Sequence, residues 1–366
     1  MSTAMFRPPP AHAPGPAWRD ALDDVLVCAE VHDVTHDVRS FVLRPAEPAA
    51  YRFRAGQYLT TTVQVDGQAV SRCYTIASSP LVPDELTITV KRVPGGPVSN
   101  WLHDHLRPGD PVAVTGPLGR FSTAHHPAER YLFLSAGSGI TPAMSMLRTI
   151  HREAEPVDVV FVHSARTPAD IVFRDELRDI EAQHPGVRVA VVCEGDAPGE
   201  RWTGRRGRLD LTTLLDLAPD LVEREVFTCG PAPYMDAVRG LLSAAGADPG
   251  RCHEESFDLG LAAATVTPSC APVPGPAAGP SYTVELRRSG RTLECDEGTT
   301  VLAAVAQAGI TLPSSCQEGV CGTCKTTLLA GRVEMSHAGG IRPREIAQDR
   351  ILLCCSTPLD DLVLDA

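Results

Sequence analysis

The pattern of hydrophobic and polar residues near the start of the chain is typical of short strands, and through the middle it is typical of strands that alternate with helices. Between residues 24 and 121, short strands are predicted at 25–28, 39–43, 58–63 and 86–90, separated by polar turns that contain glycine. Many short strands with no helix between them are typical of a small antiparallel barrel. The pattern therefore predicts a β-barrel domain over residues 21–124.

The spacing changes after residue 129. Apolar strands are predicted at 131–134, 157–163, 187–192 and 225–229, and helices at 143–151, at 170–184 and in a segment that ends at Leu242. Strands that alternate with helices indicate a parallel sheet with helices on both faces. We predict an α/β domain over residues 125–258.

A third domain is predicted over residues 281–366. Residues 259–280 are rich in Ala, Pro and Gly and have no periodicity, which is typical of a linker. Beyond them, two strands flank a turn at Ser289 and Gly290, and Thr299 or Thr300 caps a short helix that ends at Gly309. Residues 1–20, rich in Pro and Ala, are expected to form a disordered tail.

Composition narrows the class of protein. The 366 residues carry a formal net charge of −12, which argues against nucleic acid as a partner. No apolar run reaches the length of a membrane span, and the N-terminus lacks the pattern of a signal peptide. Twelve cysteines in such a chain suggest metal chemistry and free thiols, and a cytoplasmic monomer is expected. The pair His125-His126 is interpreted as part of a loop.

Four cysteines near the C-terminus have the spacing that holds a 2Fe–2S cluster in plant-type ferredoxins. Four residues separate Cys316 from Cys321, two separate Cys321 from Cys324, and 29 separate Cys324 from Cys354. Thiolate is a soft anionic ligand that suits iron. A structural zinc site usually has two close cysteine pairs, whereas only one is present here. A disulfide framework would require a secreted chain.

The fourth ligand is ambiguous because Cys354 and Cys355 are adjacent. The resemblance to plant-type ferredoxins favours Cys354, since a proline commonly follows the last ligand after three residues there and Pro358 fits that position. Cys355 is then expected to be a small buried hydrophobic residue.

Two motifs in the predicted barrel suit a flat, phosphorylated ligand. Arg72 and Tyr74 share one face of a strand, so a guanidinium and a phenol could hold a phosphate and stack on a ring, although an ordinary exposed strand would look the same. The turn from Gly95 through Gly96 to Ser99 feeds a predicted amphipathic helix at 101–106. A glycine turn before a helix N-terminus can bind an anion, and Ser99 either donates its hydroxyl or caps the helix.

Two further motifs lie at the ends of strands in the α/β domain. Gly137 and Gly139 follow a strand and let the backbone approach a pyrophosphate, but Pro142 stands where a third glycine of the dinucleotide fingerprint is expected. Cys229, Gly230 and Pro231 end a late strand, where open parallel sheets bind ligands; a plain core thiol is the alternative for Cys229.

Together and in this order, the motifs resemble a ferredoxin–NAD(P) reductase-type flavoprotein with a plant-type ferredoxin domain of α+β, β-grasp fold at its C-terminus. The resemblance implies that one set of residues contacts the flavin: Arg72, Tyr74, Thr75, Lys91, Gly96, Val98, Ser99, Glu255 and Phe257. It implies that another set contacts the nicotinamide nucleotide: Gly137, Ser138, Gly139, Thr141, Pro142, Ser164, Arg166, Cys229, Gly230, Pro231 and Met235. Thr75, Thr141 and Cys229 are the expected catalytic residues.

The domain order is similar to that of reductase components of Rieske-type demethylating oxygenases and of hybrid-cluster protein reductase. The resemblance implies electron transfer from NADH through FAD and a 2Fe–2S cluster to a separate acceptor protein. The acceptor that it favours is a Rieske-type terminal oxygenase. Alternatives are a reductase for hybrid-cluster protein or a haem monooxygenase, a flavin or nitrite-type reductase with a vestigial cluster, and an iron–sulfur flavoprotein sensor without turnover. The turn at Gly96 to Ser99 resembles that of FAD-binding members, although phthalate dioxygenase reductase has the same domain order and carries FMN.

The choice between NADH and NADPH depends on Arg166, which follows the second strand of the α/β domain. By charge alone, an arginine there favours the 2′-phosphate of NADPH, and the nearest acids are Asp170 and Asp175. The resemblance favours NADH, and a single arginine is a weak phosphate clamp. We predict NADH preference, with Arg166 solvated or stacked on adenine.

Overall fold

The computed structural model describes residues 17–19, 22–154, 156–256 and 280–310, followed by residues 312, 319, 322, 324–337, 340–341 and 343–366. Cys316, Cys321, Phe257 and nearly all of the predicted linker lie outside the described residues. Within the predicted tail, strand β1 (Ala17–Arg19) pairs in parallel with β4 (Ala49–Tyr51), and the Arg52 guanidinium lies 5.0 Å from the centre of the Trp18 ring. These contacts order residues 17–19, which the sequence assigned to the tail.

The first domain is an antiparallel barrel. Its six strands pair in the order β6-β5-β8-β2-β3-β7. The strands are β2 (Leu22–Asp33), β3 (Val38–Pro45), β5 (Tyr58–Val65), β6 (Gln68–Thr75), β7 (Leu86–Lys91) and β8 (Pro111–Leu118). A bridge between Ile76 and Ile88 joins the two outer strands and closes the barrel.

Helix α1 (Pro97–His105) covers the barrel core with Val98 and Leu102. It begins four residues earlier than the predicted helix at 101–106. The earlier start has a local cause: Gly96 occupies the N-cap and Pro97 the first helical position, where proline has no amide hydrogen to lose.

The second domain is a six-stranded, wholly parallel sheet in the order β12-β11-β10-β9-β13-β14. Helices α2 and α3 pack on one face, and α4 and α5 on the other. The elements are β9 (Arg130–Ala136), α2 (Thr141–Glu153), β10 (Asp158–Ala165), α3 (Arg174–Gln183), β11 (Val187–Cys193), β12 (Arg205–Arg206), α4 (Leu211–Leu217), β13 (Glu225–Gly230), α5 (Ala232–Ala244) and β14 (Cys252–Ser256). The strand order reverses between β9 and β13, and ligands bind at such a switch point.

The third domain is an α+β unit around a mixed sheet in the order β16-β15-β21-β17-β19, with a separate β18-β20 pair. Thr300 caps α6, as one of the two predicted alternatives, by accepting a hydrogen bond from the Ala303 N–H. The elements are β15 (Ser281–Leu286), β16 (Arg291–Asp296), α6 (Val301–Gln307), β17 (Lys325–Ala330), β18 (Val333–Met335), α7 (Pro343–Ile346), β19 (Arg350–Leu352), β20 (Ser356–Pro358) and β21 (Leu362–Leu364). The predicted three-domain fold class is confirmed.

Helix α2 connects the barrel to the parallel sheet. The Ser145 hydroxyl donates to the Ser78 carbonyl at 2.8 Å, and Arg148 donates to the Ala77 carbonyl at 2.6 Å. Arg148 also forms two hydrogen bonds with the Glu176 carboxylate on α3. Because residues 77–78 come two and three positions after the end of β6, these bonds fix α2 relative to the strand that carries Arg72. Among the described residues, no helix has the length and apolar character needed to cross a membrane.

Candidate flavin, nucleotide and iron–sulfur sites

Strand β6 presents a guanidinium, a phenol and a hydroxyl at the closing edge of the barrel. Arg72 pairs with Thr61 of β5, and Tyr74 pairs with Leu59, so both side chains lie on one face as predicted. The hydroxyls of Tyr74 and Thr75 are buried and have no hydrogen-bond partner among the described residues. An unsatisfied buried hydroxyl costs about 1–3 kcal/mol. The two orphaned hydroxyls therefore fit a bound ligand with polar ring atoms, as a flavin has.

The turn before α1 leaves its backbone amides for an anion. The amides of Val98 and Ser99, in the first turn of α1, have no intrahelical partner, and the N-cap Gly96 has no side chain to cap them. The Ser99 hydroxyl accepts a hydrogen bond from the Val93 N–H and donates to the Gly96 carbonyl, which means that it braces the turn from inside. Val98 is fully buried in the barrel core. Any contact with a phosphate would thus come from the backbone here.

Lys91, at the end of β7, forms an ion pair with Asp37, with 2.9 Å between the Lys91 Nζ and a carboxylate oxygen. The predicted flavin contact of Lys91 would compete with this pair.

The Gly137–Ile140 segment forms a single 3₁₀ turn after β9 and leads directly into α2. Gly137 has φ +53°, a left-handed conformation that favours glycine. The buried Thr141 hydroxyl donates to the Ser138 carbonyl at 3.3 Å, and Pro142 is the second residue of α2, where a proline breaks no intrahelical hydrogen bond.

Gly139 is in close contact with the loop that follows β13. A Cβ atom at Gly139 would lie 2.5 Å from the Cys229 carbonyl oxygen and 2.7 Å from the Gly230 Cα. A Cβ at Gly230 would in turn lie 2.7 Å from the Tyr234 ring. The two loops that flank the switch point therefore meet backbone to backbone, and the glycines make this approach possible.

Cys229 is 2% exposed, and burial raises the pKa of its thiol well above the usual value. It pairs with Ser135 on one side and with Glu255 on the other. Glu255 is 8% exposed, one of its carboxylate oxygens has no partner among the described residues, and burial raises its pKa to about 8. At neutral pH this side chain is therefore mostly a protonated acid that can donate a hydrogen bond beside a neutral thiol.

Two of the residues expected near the nucleotide have structural roles in α5. Pro231 is the N-cap of α5 and its carbonyl accepts from the Met235 N–H. The Met235 side chain is 1% exposed, so it packs in the core and supports the loop from below.

Arg166 follows β10, just beyond Ser164, and its side chain is 64% exposed. Its guanidinium is 2.9 Å from the Asp170 carboxylate, which also accepts a hydrogen bond from the Thr167 hydroxyl at 2.6 Å. The structure therefore places Arg166 in an ion pair, which the expectation of a solvated or adenine-stacked side chain did not include. Exposed pairs of this kind contribute only about 0–1 kcal/mol, so a ligand can displace them.

Two of the predicted cluster cysteines lie among the described residues, in one core. Cys324 and Cys354 are 3% and 7% exposed and belong to the same buried group. The Gly319 N–H donates to the Cys354 sulfur at 3.3 Å. Gly319 and Gly322 have φ of +69° and +72°. A backbone amide that donates to sulfur suits a thiolate ligand of an iron–sulfur cluster. The Cys355 sulfur has a different neighbour, the Leu352 carbonyl oxygen at 3.7 Å.

Sequence reasoning missed a buried histidine beneath the Gly137 turn. His163 is fully buried on β10, and its Nδ1 is 2.8 Å from the Ser135 hydroxyl. Burial lowers the pKa of His163 to about 4, so the ring is neutral. The only sequence signal was a polar residue inside an apolar strand.

Comparisons with known proteins match the three domains in order. Residues 26–123, 133–240 and 284–359 match family models described as an oxidoreductase FAD-binding domain, an oxidoreductase NAD-binding domain and a 2Fe-2S iron-sulfur cluster binding domain. These matches confirm the predicted cofactor-binding domains.

Relatives extend over almost the whole chain. The glycine betaine monooxygenase reductase subunit of Pseudomonas aeruginosa is 43% identical over 343 residues, covering 92% of this chain and 94% of that protein. The stachydrine N-demethylase reductase subunit of Rhizobium meliloti is 38% identical, covering 95% and 98%. Among solved structures, phthalate dioxygenase reductase matches with a TM-score of 0.57 and 26% identity, covering 93% of this chain and 97% of that one.

Proposed function

We propose that this chain is the NADH-dependent reductase component of a Rieske-type terminal oxygenase. The proposal starts from its family: the chain belongs to the oxidoreductases in which FAD-binding, NAD-binding and 2Fe–2S domains follow one another. Its electrons would pass from NADH through FAD and the cluster to that separate protein. The observation that carries this proposal is the meeting of the Gly139 turn with Cys229 at the switch point, in a chain that also holds the Cys324 and Cys354 thiols in one core.

When bound, the flavin accepts a hydride and releases single electrons, and the cluster relays them one at a time. Arg72 supplies the charge for the flavin phosphates, and the Tyr74 ring and the Thr75 hydroxyl orient the flavin ring on β6. The Gly96 turn supplies backbone amides to the pyrophosphate.

The paired loops at the switch point position the nicotinamide nucleotide. Gly137, Ser138, Gly139 and Thr141 form the turn that approaches its pyrophosphate, and Cys229 and Gly230 border the nicotinamide. Glu255 adds no full negative charge beside Cys229 at neutral pH, since burial holds the pKa of Glu255 at about 8.

Cys316, Cys321, Cys324 and Cys354 are the proposed cluster ligands. The hydrogen bond from the Gly319 N–H to the Cys354 sulfur supports Cys354 over Cys355 as the fourth ligand. Such bonds stabilise the reduced cluster by offsetting its negative charge.

The proposed acceptor follows from the relatives, whose names assign them to a glycine betaine monooxygenase and a stachydrine N-demethylase. An oxygenase that removes a methyl group from an N-methylated substrate releases formaldehyde. The test is to combine the purified chain with such an oxygenase and measure NADH consumption together with formaldehyde. Uncoupled NADH oxidation with no product would contradict this partner, and transfer to a haem monooxygenase or to hybrid-cluster protein would assign a different one.

NADH preference is proposed on the state of Arg166. Its charge is already balanced by Asp170, at 2.9 Å. The pair is weak, but the Asp170 carboxylate would remain beside a bound 2′-phosphate and repel it. An adenine ribose with a free 2′-hydroxyl carries no such cost. The ratio of kcat/KM for NADH and NADPH tests this preference directly.

A further inference from the structure

Three potential metal ligands converge at the edge of the parallel sheet opposite the nucleotide loops. Glu225 is the first residue of β13, and His253 is the second residue of β14. His126 comes from the segment that joins the barrel to the sheet. Glu225 and Gly230 are the two ends of β13, five positions apart, which is about 17 Å at roughly 3.3 Å per residue. The cluster of three is therefore separate from the proposed nucleotide site.

The three side chains are close enough to share one ion. One ligand atom from each residue lies within 4.8 Å of the other two, and all three residues are partly buried. The His253 Nε2 is 2.6 Å from a Glu225 carboxylate oxygen. The rings of His126 and His253 are stacked with their centroids 3.6 Å apart.

The surroundings hold these ligands in place. Arg251 donates to the second carboxylate oxygen of Glu225 at 3.2 Å, which leaves the first oxygen directed at His253. The Tyr131 hydroxyl accepts from the Ala128 N–H and donates to the His126 carbonyl, which fixes the segment that carries His126. Neighbours that orient a ligand in this way are typical of metal sites.

We propose that His126, Glu225 and His253 bind a divalent transition-metal ion of the zinc class. An ion pair alone would account for His253 and Glu225, but it gives no role to the second imidazole stacked against the first. Two imidazole nitrogens and one carboxylate oxygen are a ligand set that Zn²⁺ accepts, with water in the fourth position. The ion would tie the connecting segment of the barrel to the sheet, next to the contact between Phe121 and Phe227, whose ring centroids are 5.2 Å apart.

The test uses the full chain with its flavin and cluster, treated with a chelator, returned to buffer and titrated with Zn²⁺ in a calorimeter. We expect one zinc site in the wild type and a rise in Tm on zinc addition. His126→Ala and His253→Ala should each weaken binding by about a hundredfold or more, since loss of an outer-shell partner alone costs about 10–100-fold. His125→Ala is the matched control, because His125 contacts Arg54 and lies outside the cluster.

Flavin content and NADH-dependent ferricyanide reduction, equal to wild type, identify the variants that are folded. Glu225→Gln provides a second test, because it preserves the size of the side chain and removes the charge; its zinc affinity should also fall. Iron is measured in each sample so that zinc in the cysteine site is recognised. The proposal would be overturned if His126→Ala and His253→Ala bound zinc as tightly as the wild type does, or if the wild type bound no zinc.

Discussion

Replacing Gly139 with alanine tests the contact between the two nucleotide loops. The added Cβ would lie 2.5 Å from the Cys229 carbonyl oxygen, 2.6 Å from the Cys229 carbonyl carbon and 2.7 Å from the Gly230 Cα. All three neighbours are backbone atoms, so no side chain can rotate away. Ordinary contact begins at 3.4 Å. To bring the shortest of these contacts from 2.5 Å to 3.4 Å, the loops would have to separate by about 0.9 Å.

The separation should affect hydride transfer more than stability. Overpacking of this kind costs about 1–3 kcal/mol, whereas a displacement of about 1 Å at a reacting centre can lower a rate by about a hundredfold. The assay is anaerobic rapid mixing with NADH, read as the loss of flavin absorbance over a range of NADH concentrations. We expect flavin and iron contents equal to wild type, and a flavin reduction rate lower by about ten- to a hundredfold.

Gly137→Ala is the comparison variant, because it changes a glycine of the same nucleotide-binding turn without a clash between the two loops. Gly137 has φ +53° and no atom within 4 Å of an added Cβ, so this change introduces about 1–2 kcal/mol of backbone strain without a clash. It should lower Tm and weaken NADH binding, while the rate of flavin reduction at saturating NADH stays near the wild-type value. Flavin reduction in Gly139→Ala at the wild-type rate, with unchanged NADH affinity, would show that the contact with Cys229 does not position the nucleotide.

Four further predictions each concern the role of one side chain. Cys354→Ser should remove the cluster and preserve the flavin, while Cys355→Ser should retain both; iron analysis showing the reverse would identify Cys355 as the ligand. Glu255 has a pKa raised from 4.5 to about 8, so its contribution to stability is fully present below pH 4.5 and is lost as the pH rises through 8; the fall of Tm over this range should flatten in Glu255→Gln, and an unchanged slope would refute the assignment. Arg166→Ala should change the NADH to NADPH ratio of kcat/KM little; a tenfold NADPH preference, about 1.4 kcal/mol, lost in this variant would mean that Arg166 reads the phosphate. Arg148→Ala removes bonds to Ala77 and Glu176 and should lower stability by about 1.5–3 kcal/mol, measured by urea unfolding, whereas exposed Arg152→Ala should not.

Local patterns in the sequence predicted the elements that carry the proposed site. The period of two placed Arg72 and Tyr74 on one strand face, and the strand–glycine–helix pattern placed Gly137 directly after β9. These features depend on neighbours in the chain. Spacing also grouped Cys324 with Cys354, which pack in one core.

Contacts between distant segments could not be read from the sequence. The approach of Gly139 to Cys229 depends on β9 and β13 being neighbours in the sheet, and no local pattern encodes strand order. The burial that protonates Glu255 is likewise a property of the assembled sheet. Arg166 and Asp170 are only four residues apart, but the sequence shows an acid nearby and not that the two side chains form an ion pair.

The central claim is that electrons leave the chain through the cluster, and a comparison of wild type with Cys321→Ser tests it most directly. Both proteins are titrated with NADH without oxygen, and then mixed with an oxidised Rieske-type terminal oxygenase. We expect NADH to bleach flavin and cluster in the wild type and flavin alone in the variant. Only the wild type should then reduce the oxygenase rapidly. Reduction of the oxygenase by Cys321→Ser at the wild-type rate would contradict the account.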